Sequence, residues 1–373
     1  MRVQLVDPPA YTPPYDHSLA AALAAAGADV ELVTSRFRHG PVPEAAGYRV
    51  REHFYRRAAA RDLPGRAGTA LKLAEHVPDM LRYRRVAAAA DVVHYQWLPV
   101  PVLDARLLPP RWPRVLTAHN VIPHEPSGSQ VRALRRVTGA MDAVIVHSEP
   151  SAVRAVATLG LSPDRLHVIP HGAFDYLTRV PRPVPLPAEL AAVEGSVILC
   201  FGLMRHYKGI DVLLEAAAQV EGAEIWVVGR PMIPLEPLRQ LAARAGGRVR
   251  IVPRFVTDPE IPAFLERASL VVLPYREIDQ SGVLYTALAF GKPLVLSAVG
   301  GFVEVAEQHG AARLVPPGDA QALTAVLNEL LEDGPALEAL AAAARRAAVG
   351  PYSWRAVSER TLALYERLLE ARA

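Results

Sequence analysis

The chain has 373 residues, 51% of them hydrophobic and 21% charged, a balance that excludes a disordered protein and supplies enough apolar volume for two cores. Its single cysteine, Cys200, excludes internal disulfides and sites built from several thiolates. The net charge of +3 is uneven, with 22 Lys and Arg against 16 Asp and Glu up to residue 180 and 19 against 22 beyond it, so an anionic partner would meet the first half.

The amino terminus, MRVQLVD, enters an alternating apolar pattern directly, and no apolar stretch reaches the ~20 residues that span a bilayer. The expectation is a cytoplasmic protein, either free or peripheral to the inner membrane face. Arg56, Arg57, Arg84 and Arg85 fall in a segment that also holds Phe37, Phe54, Tyr55 and Tyr83. That mixture reads as solvated surface or as a patch for an anionic membrane or acceptor. No nucleic-acid-binding motif accompanies the charge, so no such partner is expected.

In chain order, the apolar run RVQLVD is followed by the helical pattern HSLAAALAAAG, then by ADVELVTSR, DVVHYQW, RVLTAHN, DAVIVHS and HVIPHG. Strands alternating with helical segments predict βαβ units and a parallel sheet. The stretch RVPRPVPLPAEL, residues 179–190, carries four prolines and predicts a stiff extended connection. The alternation then restarts with SVILCFG and the helix GIDVLLEAAAQV, continues through EIWVVGR, RVRIVPR, the helix PEIPAFLERA and SLVVLPY, and ends with the helix LYTALAFG and PLVLSAVGG. The predicted organisation is α/β, two doubly wound domains with a cleft between them: residues 1–178, a proline-rich hinge at 179–194, residues 195–352, and a final helix at 353–373 crossing back to the first domain.

Ligands of open α/β sheets sit beyond the carboxyl ends of strands, and three such places carry chemistry. In FGLMRHYKG, Arg205 and Lys208 occupy the turn after a strand that ends near Gly202. Two permanent cations there suit a diphosphate; an exposed basic turn is the plainer alternative. In LPYREIDQSGVLYTALAFGKP, the loop with Glu277 and Asp279 leads to a helix opening at Ser281 and Gly282, where free N–H groups and the helix dipole favour an anion. Asp279 or Ser281 serving only as a helix cap is the alternative. In RVLTAHNVIPHE, His119 and Asn120 follow a buried strand and can hydrogen-bond a polar substrate, with Pro123, His124 and Glu125 continuing the loop; a purely structural His119 is the alternative.

These segments resemble the family-4 retaining glycosyltransferases of the GT-B fold over nearly the whole chain, most strongly in FGLMRHYKGIDVLLEA and SGVLYTALAFGKPLVLSAVGGFVEV. The resemblance implies a UDP- or GDP-linked sugar donor bound by the second domain, an acceptor hydroxyl on a lipid, glycan or natural product bound by the first, and hexosyl transfer with retention. It assigns Arg205 and Lys208 to the departing diphosphate, with the backbone of Gly282, Val283 and Leu284, and it gives His119 a contact with the transferred sugar. Arg254 and Phe255, in RFVTDPEIPAFLERA, match the nucleobase segment, and Tyr15, Asp16 and His17 stand where an acceptor-side loop would be.

No Asp-x-Asp motif is present, so no metal and no cofactor beyond the sugar nucleotide is expected. The chain departs from the family where two glutamates normally stand seven apart, since Ile278 and Thr286 occupy those positions. Glu277 or Asp279 would substitute for the first, and Thr286 would face the ribose. Leu203 stands where the family's arginine usually falls, which shifts that role to Arg205. Two other readings share the fold, namely a catalytically degenerate protein that binds nucleotide or glycan, and a sugar-nucleotide epimerase.

Overall fold

The computed structural model describes residues 1–372 except 39, 41, 62–64, 111, 112 and 123–126, and only the backbone of residue 66. Pro123, His124 and Glu125 therefore lie outside the described residues. The chain divides into two units: residues 1–172 with 354–373, and residues 173–353.

The first unit is built on a seven-stranded parallel sheet of β1 (Arg2–Asp7), β2 (Asp29–Ser35), β3 (Arg49–Phe54), β4 (Val92–Tyr95), β5 (Arg114–Thr117), β6 (Ala143–Val146) and β7 (Leu166–Val168), in the order β3-β2-β1-β4-β5-β6-β7. Strands covered on both faces read as continuous apolar runs, and Val92–Tyr95 and Ala143–Val146 are buried throughout. β3 departs from that pattern. It is an edge strand whose Arg49 and Arg51 pair with Asp29 and Glu31 of β2, so charge rather than burial fixes its register.

The second unit carries a six-stranded parallel sheet, β8 (Ser196–Phe201), β9 (Ala223–Val228), β10 (Val249–Val252), β11 (Leu270–Leu273), β12 (Leu294–Ser297) and β13 (Ala312–Val315), in the order β10-β9-β8-β11-β12-β13. Each sheet reverses its winding once, between β1 and β4 and between β8 and β11. Those reversals open the crevices in which doubly wound folds hold ligands.

Helix ends carry explicit caps. Ser127 and Gln130 form a reciprocal box at the helix Gly128–Gly139, Ser148 accepts from the Ser151 N–H, and Asp319 accepts from the Ala322 N–H; such caps satisfy N–H groups that a helix leaves open. Apolar side chains at helical spacing then complete one core under each sheet, for example Met80 and Tyr83 in the first unit and Leu213 and Leu323 in the second.

The boundary between units differs from the sequence expectation. The chain leaves the first unit after Gly172, not after 178, and the proline-rich 179–194 stretch belongs to the second unit, where the Val184 N–H donates to the Pro259 carbonyl at 2.7 Å. The last helix, Trp354–Glu370, lies in the first unit. Its Tyr365 hydroxyl meets His94 Nδ1 at 2.6 Å, and Trp354 packs so closely on Gly172 that no side chain would fit there.

Candidate functional site

In the second unit, the turn after β8 and the loop after β11 meet where the sheet reverses. Gly202 has φ +105°, a conformation nearly closed to other residues, and a Cβ there would stand 2.9 Å from both Lys208 Nζ and Val283 Cγ2. The strand end is thereby drawn against the lysine and the start of the helix Gly282–Ala289. Gly209 adopts φ +61° and lies against the Pro274 carbonyl with no room for a side chain. Arg276 joins the two loops, donating from its backbone to the Tyr207 carbonyl at 2.7 Å, from its side chain to the His206 carbonyl at 3.2 Å, and twice to Asp211 at 2.8 and 2.6 Å.

Lys208 is buried, with 7% of its surface exposed, and its Nζ lies 5.1 Å from the centre of the Tyr275 ring. Among the described residues no carboxylate pairs with it, and burial pulls its pKa below the ordinary lysine value. An ammonium taken out of water without a counter-charge is costly, so the arrangement is complete only with an anion. Beside it, Ser281 starts the helix without capping it; its hydroxyl meets the Tyr275 hydroxyl at 3.3 Å. The Gly282 and Val283 N–H groups consequently have no partner among the described residues, the usual state of a helix start that receives an anion. Arg205 is exposed on the same turn.

The remaining residues expected of the donor side are placed as follows. Asp279 is buried, Glu277 exposed. Thr286 is buried and donates its hydroxyl to the Gly282 carbonyl of its own helix at 2.9 Å, so a ribose would meet only its lone pairs. Arg254 is paired with Glu260 at 2.7 Å, and the neighbouring Phe255 ring is 50% exposed.

The first unit places His119 at the centre of a ring cluster. Trp97 stacks on it with centroids 5.3 Å apart, and the Tyr15 ring meets it edge-on at 4.6 Å while also touching His147, His171 and Trp354. His147 Nδ1 faces the Ile169 carbonyl at 2.9 Å and so carries the proton, leaving a lone pair on Nε2. Burial pushes His147 down to about 4 and His119 well below its ordinary value, so both are neutral near pH 7. His119 Nδ1 then donates to His147 Nε2 across 3.2 Å. The remaining His119 nitrogen, Nε2, lies 3.1 Å from Gln96 Oε1; exchanging the amide's oxygen and nitrogen, an assignment that hydrogen-bond partners decide and heavy-atom shape does not, gives that lone pair its matching N–H donor.

Two residues expected to meet the acceptor, Asp16 and His17, are buried. The helix begins at Pro13, which turns Asp16 and His17 inward. Asp16 is buried beside Asp7, with the Thr12 hydroxyl at 3.4 Å; burial raises the pKa of both carboxyls, most for Asp16. His17 meets the Tyr48 hydroxyl at 2.6 Å. Of the acceptor-side set, Tyr15 joins His119 and Asn120 stays exposed. Of the aromatics in the basic segment, Phe54, Tyr55 and Tyr83 are buried and Phe37 is half-buried, whereas Leu73 and Leu81 are among the exposed apolar side chains there. The cluster members Gln96, His147 and His171 were not singled out from sequence, although each follows a strand, the signal that located His119.

Two family descriptions cover most of the chain: residues 15–173 match Glycosyltransferase Family 4, and residues 195–333 match Glycosyl transferases group 1. A D-inositol 3-phosphate glycosyltransferase from Xylanimonas cellulosilytica is 30% identical over 96% of this chain and 92% of its own length. A GDP-mannose:glycolipid 4-beta-D-mannosyltransferase from Xanthomonas campestris is 31% identical over 49% of each chain. The chain spans about half the length of several relatives, that enzyme among them. Sucrose-phosphate synthase from Thermosynechococcus elongatus shares the fold, with a TM-score of 0.76 over 100% of both chains at 20% identity. Fold and matches together define a GT-B protein with two Rossmann-like units. The chain belongs to the family-4 glycosyltransferases.

Proposed function

We propose that the protein transfers a hexosyl unit from a nucleoside-diphosphate sugar to an acceptor hydroxyl, with retention of anomeric configuration. The observation that carries this reading is Lys208, a buried ammonium without a carboxylate partner, set at the sheet reversal beside a glycine strand end and an open helix start. As the bond from the anomeric carbon to the diphosphate breaks, negative charge grows on the phosphate oxygens. Lys208, Arg205 and the Gly282 and Val283 N–H groups offset that charge, and a fixed donor set of this kind stabilises the transition state more than the bound donor. The role needs no metal, so transfer continues in a chelator.

Phe255 stacks on the base, and Asp279 takes the carboxylate role that Ile278 cannot fill. His119, neutral and with both ring nitrogens engaged, does not transfer a proton; it holds Gln96, whose other amide atom meets an acceptor hydroxyl. Exposed Arg56, Arg57 and Arg85, with Leu73 and Leu81, support contact with an anionic lipid surface.

Release of nucleoside diphosphate from a panel of UDP- and GDP-sugars, with and without acceptors, tests the reading. Consumption of one donor, with the product's anomeric configuration read by NMR, supports it. Ile278 and Thr286, in place of the usual glutamates, favour a second reading as a binding protein without turnover. Saturable donor binding with no consumption of any donor would establish that reading instead.

A further inference from the structure

A cavity of about 450 Å³ opens beside His119 within the first unit, a size typical of small-molecule sites. Its walls come from the helix Pro101–Leu107, from β5 and from the helix Gly128–Gly139, with Leu98, Val102, Leu116, Ala133, Leu134 and Val137 on the lining. Among the described residues that line it, none is Asp, Glu, Lys or Arg. Gln96, Thr117, His119 and Asn120 bring polar groups to the wall, and Ser129, Gln130 and Thr138 add uncharged ones from the helix Gly128–Gly139. Gln96 is 1% exposed and makes one hydrogen bond, to His119, leaving the other atom of its amide without a partner. A buried amide atom of this kind is open to a polar group of a ligand or to an ordered water.

We infer that this cavity holds an uncharged hydrocarbon aglycone of the acceptor, with the acceptor's polar end at Gln96 and His119. The inference rests on the transferase reading and narrows it. Among the described lining residues none carries a charge to neutralise a phosphate or carboxylate, and burying such a charge unpaired is costly. It does remove alkyl surface from water, and the free amide atom supplies one hydrogen bond where the chain ends and the sugar or hydroxyl begins.

The test is calorimetric binding of n-propyl to n-octyl β-glucosides to the full chain without donor, below the concentration at which the probes self-associate. Binding should tighten by about tenfold for every two methylenes added, and an octyl chain ending in a carboxylate should bind at least a hundredfold more weakly than octyl. Ala133→Phe, which fills the cavity from the Gly128–Gly139 helix, should abolish the chain-length dependence. Affinity that does not change with chain length in the unmodified protein overturns the inference, whether or not the variant folds. So does unaltered octyl binding in a folded Ala133→Phe protein. Because no donor is present, failure here leaves donor turnover untouched, and failure of turnover leaves this result standing.

Discussion

His147 fixes the tautomer of His119: its Nε2 lies 3.2 Å from His119 Nδ1, and its own proton is committed to the Ile169 carbonyl. The orientation of His119 is thus set by a neighbouring imidazole, as that of ligand histidines is elsewhere by the bond at their second nitrogen. Nitrogen-15 NMR of the imidazoles should show His119 neutral with its proton on Nδ1 at pH 7. A proton on Nε2 would break the chain of donors.

The buried histidines make stability depend on pH. Their unfolded-state value is 6.5, whereas burial pushes His147 down to about 4 and His94 to about 3. Between 6.5 and about 4 the unfolded chain binds protons that the folded chain refuses, so stability is full above 6.5 and falls with acidification by about 1.4 kcal/mol per pH unit for each group. Denaturant midpoints at pH 7 and pH 5 measure this. His147→Gln should reduce the slope by one proton, and an unchanged slope would show that His147 titrates normally.

Lys208→Met should separate stability from function. Removing an unpaired buried ammonium raises the stability of the free protein by about 1 kcal/mol, while loss of the charge facing the diphosphate lowers turnover by about 10²-fold or more. A thermal melt and a donor assay on the same sample read both. A variant less stable than the parent would mean that Lys208 is satisfied by the protein itself.

Gly202→Ala should weaken nucleotide binding and cost about 1 kcal/mol of stability, because φ +105° is strained for alanine and the new methyl would press on Lys208 and Val283. Wild-type affinity in this variant would show that the strand end can move away from the lysine.

Arg276→Ala tests the tether between the two loops. The Arg276–Asp211 pair is about 40% exposed, so its loss should change stability by less than about 1 kcal/mol. It should raise KM for the donor several-fold, since the turn bearing Lys208 loses its anchor. A stability loss without a KM change would make the pair purely structural.

The strands that carry the site were legible because they are buried on both faces and appear as apolar runs ending in glycine, histidine or proline. β3 was not, since its exposed Arg49 and Arg51 hold it through ion pairs that a hydrophobic pattern does not report. Lys208 and Arg205 could be found from position alone, as cations at a strand end. The burial of Lys208 and the tether through Arg276 could not, because both depend on a loop some 65 residues away folding over the turn. Tyr15, Asp16 and His17 show the reverse case: their residue types suggested acceptor chemistry, but a helix beginning at Pro13 turns Asp16 and His17 into the interior. The unit boundary was misplaced by six residues because the prolines mark stiffness, whereas the chain changes units at Gly172, where Trp354 demands a residue without a side chain.

Titration of the unmodified protein and Lys208→Met with UDP and GDP, from neutral to alkaline pH, reads whether Lys208 holds the donor's diphosphate. One nucleotide should bind the unmodified protein about tenfold or more tighter than the variant. Its affinity should decline at a pH below the ordinary lysine value of 10.5, because the bound state needs the ammonium whose pKa burial has lowered. Equal affinities for the two proteins, with no such decline, would show that the diphosphate is held elsewhere.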